Sequence, residues 1–464
     1  MFELFAVESV LFIPYIIESH LIPTLGMAKL LSEKYTIVYA LPKKFEWFPV
    51  MHGYHYVNLE SVPFAFGYEP VVRKGEGSKR IYRDSLRDRR NGRIANHRRK
   101  KLNAITDEIK PVFIFSDILS STDFILLYPY LEEKNAGFAI HNPMMTTYTI
   151  KGSPRIGSSF TIDQKAKIVI ENNWVKLLTA VFSIRQFVLY PFNSDRSLVK
   201  REFLKNKIPS RFKRAVDNHF TKMFEKVPEI ITAPEELEFS INDKKGNQHY
   251  VGPLIDGDRI EKNTNEEIAQ LIDSIKEWKQ HKETRIVFCA FGTMNQKNDH
   301  AIGSFLEKLV FVFAKHPDLV LLCAYNDKHG SIDKNKLAKN IFLFPFLPQL
   351  TVLKYADLFI THAGLGSVKE GIFRGVPMLA YPFTKSWDSN GNATKIAYHR
   401  LGLRGDIMKD DEKQIEEKIV QLLTTPEFSN TIRLFRQKML EKYTGEEFLS
   451  LFEKIRSTTN WDAR

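Results

Sequence analysis

Short runs of apolar residues recur along the first third of the chain, and helix-like or polar segments separate them. Residues 9–15 predict a buried strand, the pattern over 23–35 predicts a helix, and 36–42 predict a second strand. Two further apolar runs, 111–117 and 137–143, end in polar residues. Apolar strands separated by helices are typical of a parallel sheet that is covered on both faces.

The same alternation begins again in the second half of the chain. Helix-like segments lie between most of the strands predicted there. These strands cover residues 285–292, 318–325, 340–346, 356–362 and 376–382. The pattern therefore predicts an α/β protein built from two tandem Rossmann-like, doubly wound domains.

The segment 251–267 is rich in Gly, Pro, Asp and Asn, as segments that join domains often are. We therefore expect an N-terminal domain over residues 1–250 and a C-terminal domain over 251–445. The last helix, within 446–464, is expected to pack back onto the first domain.

An apolar stretch in the middle of the chain, 174–192, is harder to interpret. Its only charged residues are Lys176 and Arg185. The pattern favours a buried helix pair at the surface of the first domain. A wall for a lipophilic acceptor and a face that contacts a membrane are the alternatives.

Charge is concentrated in one segment of the 464-residue chain. Lys and Arg exceed Asp and Glu by 12, and residues 73–101 hold thirteen basic residues against three acids. The rest is nearly neutral, and the segment lacks the repeated aromatics of single-strand binders, so we expect no nucleic-acid partner. The segment predicts either a solvated helical face or contact with an anionic membrane surface or an acidic acceptor.

The two cysteines, Cys289 and Cys323, each lie inside an apolar run, which predicts buried free thiols. The first residues lack the basic region of a signal peptide. No apolar stretch approaches the roughly 20 residues that span a bilayer. We therefore expect a cytoplasmic protein, with peripheral membrane contact through 73–101 as the alternative.

The segment THAGLGSVKEG follows a predicted strand, at the edge of the sheet where ligands bind in doubly wound domains. His362 stands at the strand end, and Gly364 and Gly366 permit close approach of the backbone and positive φ. A helix that begins near Ser367 would direct free N–H groups and its positive dipole end at an anion. The segment predicts a phosphate or diphosphate site, with an ordinary glycine-rich helix cap as the alternative.

Glu370 lies one turn into this predicted helix, on the same side as Ser367. A diphosphate would repel its carboxylate, so another task is expected for it. Accepting hydrogen bonds from the hydroxyls of a ribose fits this position.

Residues 344–396 resemble the donor-binding signature of the UDP-glycosyltransferase family, which comprises inverting enzymes of the GT-B fold. Several spaced elements recur in order: a Pro-Gln pair, Thr-His-x-Gly-x-x-Ser-x-x-Glu, Gly-Val-Pro and a final Asn-Ala. Residues 290–294 resemble the family's Ser-Phe-Gly-Ser turn, and 230–239 with 250–255 resemble its interdomain segment.

The resemblance implies roles for the donor residues. Phe346 would stack on the uracil ring with Gln349 beside it, and Glu370 would hold the ribose hydroxyls. Three residues would face the diphosphate, and two in the glycine turn would lie near the phosphate and the sugar. These are His362, Gly366 and Ser367 for the diphosphate, and Gly292 and Thr293 for the turn.

The family's Asp-Gln pair, which holds the sugar hydroxyls, is altered in this chain. With a two-residue insertion it falls on Asp388 and Ser389, and Asn392 then matches the Asn-Ala that follows. Without gaps it falls on Ser386 and Trp387. We favour the first register, but both lack the glutamine, so the identity of the sugar stays open.

A histidine and an aspartate follow two predicted strands of the first domain. His20 stands where the family has its catalytic histidine, with Ser19 in place of the usual glycine, and is predicted to be the general base. Asp117 ends the strand 111–117 and would orient His20 and stabilise its charge. Asp123 is the alternative partner.

The resemblance implies an inverting, metal-independent transfer of a sugar from a UDP-sugar to a hydroxyl of a small or lipophilic acceptor. The UDP-sugar is a co-substrate, and no further cofactor is expected. Two other functions remain open, a UDP-sugar epimerase of the same fold and a non-catalytic binder of nucleotide sugars.

Overall fold

The computed structural model describes most of the chain, and Thr293 and Ser386 lie outside the described residues. The described ranges are 8–69, 78–218, 221–240, 244–261, 265–280, 284–292, 299–325, 332–383, 387–458 and residue 461.

The first half of the chain folds around a parallel sheet of strand order β3-β2-β1-β4-β5-β6-β7. Its strands are β1 (Ser9–Ile13), β2 (Thr36–Leu41), β3 (His55–Asn58), β4 (Phe113–Asp117), β5 (Gly137–Asn142), β6 (Glu229–Ile231) and β7 (Gln248–Tyr250). Its helices are α1 (Glu18–Leu21), α2 (Leu25–Leu31), α3 (Trp47–Met51), α4 (Ser78–Asn91), α5 (Arg93–Ile109), α6 (Asp123–Lys134), α7 (Lys165–Leu189) and α8 (Asp195–Lys205).

The second half folds around another parallel sheet, of strand order β10-β9-β8-β11-β12-β13. Its strands are β8 (Arg285–Ala290), β9 (Leu319–Ala324), β10 (Ile341–Phe344), β11 (Leu358–Thr361), β12 (Met378–Ala380) and β13 (Gly402–Arg404). The helices that follow the first sheet are α9 (Glu266–Trp278), α10 (Asp299–Ala314), α11 (Gln349–Leu353), α12 (Leu365–Arg374), α13 (Ser389–Tyr398), α14 (Glu412–Thr424), α15 (Pro426–Lys442) and α16 (Gly445–Thr458).

Both faces of each sheet are covered, which explains why the strands read as continuous apolar runs. In β1, Leu11 and Ile13 join one buried apolar cluster, whereas Val10 and Phe12 join another on the opposite face. Each predicted strand contains an observed one, and the predicted fold class is confirmed. Cys289 and Cys323 are buried free thiols, as predicted.

The strand order of each sheet reverses direction at one point, and ligands of doubly wound sheets bind there. In the first sheet this point lies between β1 and β4, and in the second between β8 and β11. Asp117 ends β4, and His20 lies in α1, which follows β1. Gly292 and His362 lie in the loops after β8 and β11. The topology therefore gathers the predicted site residues at the two switch points.

The last helix packs on the first domain. Phe448, Phe452 and Ile455 of α16 are buried in the apolar cluster that covers one face of the first sheet. The ring of Phe452 lies 4.6 Å from that of Phe113, measured between centroids. Beyond α16, the indole N–H of Trp461 donates to the Ala136 carbonyl at 2.8 Å.

The two halves touch through α13 and segments that precede β6 or follow it. Lys395 Nζ of α13 lies 2.5 Å from Glu238 Oε2, and both side chains are buried. A Cβ atom on Gly391 would lie 1.9 Å from the carbonyl oxygen of Ile156, so the backbones meet there with no room for a side chain. The cleft between the sheets is thus closed on this side by direct contacts.

The prediction that residues 174–192 form a buried helix pair is wrong. These residues belong mostly to α7, a single helix in which Ile168 is the one buried residue. Ile168, Val175 and Leu189 are buried or half-buried, and the other large apolar residues of α7 are exposed. Within the described residues, no helix has the length and apolar character that a membrane crossing needs.

The basic segment is only partly a solvated face. Arg98 is buried and holds both carboxylate oxygens of Asp123, through Nε at 2.8 Å and Nη2 at 2.5 Å. Arg89 is buried as well and pairs with Glu69 at 2.9 Å and with Asp195 at 2.8 Å. These arginines stabilise the first domain. Within the described part of segment 73–101, fewer cations are therefore exposed than its composition suggests.

Candidate active site

His20 and Asp117 form a buried pair at the switch point of the first sheet. His20 Nδ1 lies 2.8 Å from Asp117 Oδ2, and the other carboxylate oxygen accepts the Leu119 N–H at 2.8 Å. When Nδ1 donates to the carboxylate, Nε2 keeps its lone pair and can accept a proton. The geometry has the form of a general base held by an orienting carboxylate.

Asp123, the alternative partner, is engaged elsewhere. Both its oxygens accept hydrogen bonds from the buried Arg98. The geometry therefore favours Asp117 as the carboxylate that orients His20.

Two residues near this pair were missed by the sequence analysis. His141 on β5 is buried, its Nε2 lies 3.1 Å from Thr232 Oγ1, and burial lowers its pKa to about 3. Lys369 on α12 is also buried and donates to the Thr232 carbonyl at 2.7 Å. Burial lowers its pKa to about 8. The only available signals were the position of His141 at a strand end and that of Lys369 beside Glu370.

Gly364 does not have the positive φ that was expected for it, and its role in the structure is a different one. Gly364 has φ −59° and ψ 137°, and the positive φ of 61° falls on Ala363 instead. A Cβ atom on Gly364 would lie 2.5 Å from His362 Nε2, and one on Gly292 would lie 2.8 Å from His362 Cε1. Both glycines therefore make room for the imidazole of His362.

His362 is held between these glycines and an aromatic ring. Its imidazole stacks on Phe383 with centroids 5.3 Å apart and an interplanar angle of 26°. Burial lowers the pKa of His362 to about 4, so the ring is neutral near pH 7. Its buried Nδ1 has no hydrogen-bond partner among the described residues. A neutral imidazole in this position can donate one N–H to an anion.

Helix α12 begins at Leu365, two residues before the predicted start at Ser367. The N–H groups of its first turn have no partner within the helix, as at any helix N-terminus. A Cβ atom on Gly366 would meet nothing within 4 Å, so space is open in front of this turn. The arrangement suits an anion that approaches the backbone at Gly366.

Three predicted donor residues lie together on α11 and α12. Gln349 Nε2 donates to Glu370 Oε2 at 2.8 Å and lies 3.3 Å from Ser367 Oγ. Phe346 is half-buried in the turn that precedes α11. Arg259, which the sequence analysis treated only as part of a linker, donates to Glu370 Oε1 at 2.6 Å. A ribose bound by Glu370 would share the carboxylate with these two side chains.

Asp388 stands at the start of α13 and faces the first domain. Asn392 Nδ2 donates to Asp388 Oδ2 and to the Ala363 carbonyl, both at 3.1 Å, which ties Asp388 to the donor loop. Burial raises the pKa of Asp388, although the hydrogen bond from Asn392, and the nearby His20 imidazole when it is protonated, act against this rise. The neighbouring Ser389 is buried. Trp387, from the ungapped register, is 42% exposed, so the geometry favours Asp388.

Comparison with solved structures identifies the architecture. The glycotransferase of kitacinnamycin matches with a TM-score of 0.64 and 17% sequence identity, over 97% of this chain and 99% of that one. Two facing Rossmann-like domains with the candidate site in the cleft between them define the GT-B fold.

Sequence comparisons relate the second half of the chain to one family of transferases. Residues 263–436 match the family model described as UDP-glucoronosyl and UDP-glucosyl transferase. The matched residues lie in the C-terminal domain, and this part of the chain is similar to the UDP-glycosyltransferase family. A putative UDP-glucuronosyltransferase of Caenorhabditis elegans is 27% identical over 56% of this chain and 47% of its own length. The oleandomycin glycosyltransferase of Streptomyces antibioticus is 28% identical over 30% of this chain and 32% of its own. The aligned parts thus span about half, or less, of these relatives.

Proposed function

We propose that the protein transfers a sugar from a UDP-sugar to a hydroxyl group of a small or lipophilic acceptor, with inversion at the anomeric carbon. The observation that supports this best is the His20–Asp117 pair, which lies across the cleft from Asp388 and the loop at His362. A base on one wall and an anion site on the other suit attack by an acceptor hydroxyl on a bound donor.

In the proposed reaction, His20 Nε2 accepts the proton of the acceptor hydroxyl as its oxygen bonds to the anomeric carbon. The bond from that carbon to the diphosphate oxygen breaks in the same step, and UDP leaves. Asp117 stabilises the imidazolium that forms, because its carboxylate accepts a hydrogen bond from the Nδ1–H of His20.

The charge that develops on the leaving diphosphate is met by fixed hydrogen-bond donors. The first turn of α12 supplies backbone N–H groups at Gly366 and Ser367, and the neutral His362 supplies a ring N–H. Preorganised donors of this kind stabilise a charge that grows in the transition state. The proposal assigns this role to the loop and assigns none to a metal ion or a further cofactor.

The donor's other parts are assigned to the residues around this loop. Phe346 would stack on the uracil, and Glu370 would accept from the ribose hydroxyls with Arg259 and Gln349 as its neighbours. Asp388 and Ser389 would bind the sugar hydroxyls. Ser389 stands in place of the glutamine of the family's Asp-Gln pair. The identity of the transferred sugar therefore has to be determined by experiment.

The direct test is to incubate the protein with a panel of UDP-sugars and with phenolic and lipid acceptors. We expect acceptor-dependent release of UDP and a product whose anomeric configuration, read by NMR, is opposite to that of the donor. Conversion of the UDP-sugar without an acceptor would favour the epimerase. Binding of UDP-sugar without turnover would favour the non-catalytic binder.

Gly366→Ala should separate stability from donor binding. Alanine is better than glycine inside a helix by about 0.5–1 kcal/mol, and the new methyl group meets no atom of the protein, so the fold should be slightly stabilised. The methyl group would fill the space assigned to the diphosphate, so UDP affinity should fall about tenfold, or ~1.4 kcal/mol. Thermal unfolding and calorimetric titration with UDP measure the two effects.

Gly246→Ala is the matched control, because its Cβ atom also meets open space but lies away from the loop. Its UDP affinity should equal that of the wild type. Unchanged UDP affinity in Gly366→Ala would refute the placement of the diphosphate.

The membrane contact predicted for 73–101 and the cytoplasmic location stay predictions. The basic segment supports membrane contact less than its composition suggests, because Arg89 and Arg98 are buried in ion pairs.

A further inference from the structure

The outward face of α7 and the turn after it expose an unusual amount of apolar surface. Eleven large apolar side chains between Val169 and Phe192 are exposed, to between 48% and 80% of their full area. Trp174, Leu178 and Phe182 lie four residues apart and so form one ridge along the helix. Monomeric proteins rarely leave a continuous apolar surface of this kind in water.

The side of α7 that faces the protein carries polar residues beside a few apolar ones, of which Ile168 is buried. Glu171 lies close enough to the half-buried Arg155 to interact with it electrostatically. Gln186 Oε1 accepts the backbone N–H of Asp195 at 3.0 Å. A surface helix normally buries its apolar stripe, whereas α7 leaves most of its large apolar residues exposed.

The charges on the outward side of α7 are all positive. Lys165, Lys167, Lys176 and Arg185 are exposed, whereas Glu171, the one acid between residues 165 and 192, is turned inward. The long stems of Lys and Arg can lie along an apolar surface while their charges reach towards phosphate groups.

A second basic element adjoins the C-terminal end of this helix. The rings of Tyr82 on α4 and Tyr190 lie 5.8 Å apart, and the Arg89 guanidinium stacks over Tyr190 at 4.3 Å. The same helix α4 also carries exposed arginines at 83, 87 and 90. The apolar ridge is therefore accompanied by cations along its length and at its end.

We propose that α7 is a membrane-docking helix that lies in the interfacial region of an anionic lipid bilayer. An apolar face combined with Lys and Arg, and with no outward acid, is what such helices present to anionic lipids. The helix is about 37 Å long at 1.5 Å per residue, and it would lie parallel to the surface. Trp174 would sit at the level of the headgroups, where indole rings are favoured.

A second copy of the chain fits this face less well. In a two-fold pairing about the middle of 169–192, Lys176 of one copy would oppose Arg185 of the other, and no outward acid is there to neutralise them. Like charges in such a pairing oppose association. The charge pattern therefore favours lipid phosphate over another α7.

Sedimentation with vesicles tests the proposal. The full chain should sediment with phosphatidylcholine vesicles that contain phosphatidylglycerol, and much less with phosphatidylcholine alone. The variant Trp174→Ser/Leu178→Ser/Phe182→Ser should bind the anionic vesicles with an affinity that is lower by about tenfold or more. Its matched control is Phe311→Ser/Leu434→Ser/Leu440→Ser, which removes three exposed apolar residues from other helices and should bind like the wild type.

Fluorescence gives an independent readout at one position. Brominated lipids should quench part of the tryptophan emission, and that part should be absent in Trp174→Phe. Lys176→Glu/Arg185→Glu should abolish the preference for anionic vesicles.

Three outcomes would overturn the proposal. One is wild-type protein that stays in the supernatant with both kinds of vesicle. Another is equal sedimentation of the triple serine variant and the wild type. The third is a dimer, seen by light scattering, that this variant converts to a monomer while neither form binds vesicles, which would assign the face to a second copy. None of these readouts depends on sugar transfer.

Discussion

Replacing His20 by alanine should reduce the rate of sugar transfer by about 10²–10⁴-fold, which is the usual contribution of a general base. UDP affinity should be nearly unchanged, because the loop at His362 and the helix α12 lie on the opposite wall of the cleft. Acceptor-dependent release of UDP measures the rate, and calorimetric titration with UDP measures the binding.

A matched control exists in the second domain. His316 also pairs with a carboxylate, at 2.7 Å from Glu416 Oε1, but its side chain is partly exposed and carries no assigned role in the cleft. His316→Ala should therefore retain the wild-type rate. Full transfer by His20→Ala would refute the assignment of the base, and an equal loss in both variants would point to a general effect of removing a histidine.

Replacing Lys395 by methionine should destabilise the protein by about 3–5 kcal/mol, since it removes one partner from a buried ion pair. Glu238 would keep two hydrogen bonds, from the Thr146 N–H at 2.9 Å and the Tyr250 hydroxyl at 2.8 Å, but its charge would lose its cation. The midpoint of urea denaturation should fall accordingly.

Lys413→Met provides the comparison, because its pair with Glu417 spans 3.9 Å between exposed side chains. Exposed pairs contribute about 0–1 kcal/mol, so the denaturation midpoint should barely move. If Lys395→Met unfolded at the same urea concentration as Lys413→Met, the buried pair would not hold the two halves together.

The strands of both domains could be predicted because their physical signal is local. A strand buried on both faces must be apolar throughout, and β1, β4 and β5 are buried at every position. Parallel order then places their carboxyl ends at one edge, which is how His20 and Asp117 could be paired although 97 residues separate them.

Part of the candidate site could not be predicted because its contacts are non-local. Arg259 reaches Glu370 only after the linker folds over α12, and Lys369 reaches Thr232 only when the two halves meet. The role of Gly364 was also hidden, because the sequence shows a flexible residue but not the imidazole that needs its space.

The prediction that residues 174–192, most of which lie in α7, are buried was wrong for a different reason. Apolar residues predict burial only when the partner of the helix is the protein itself. Residues 174–192 were predicted to be buried because they are almost all apolar, yet most of their large side chains are exposed on α7.

Lys369 gives helix α12 a double attachment. Ser367 and Glu370 on this helix are assigned to the donor, whereas the ammonium between them is anchored on the backbone of the first domain at Thr232. Coupling through a shared helix is reciprocal. A donor that orders α12 should therefore also stabilise the contact between Lys369 and the first domain. The expected consequence is mutual: a bound nucleotide sugar should lower the Kd of the acceptor, and a bound acceptor should lower the Kd of the nucleotide sugar by the same factor.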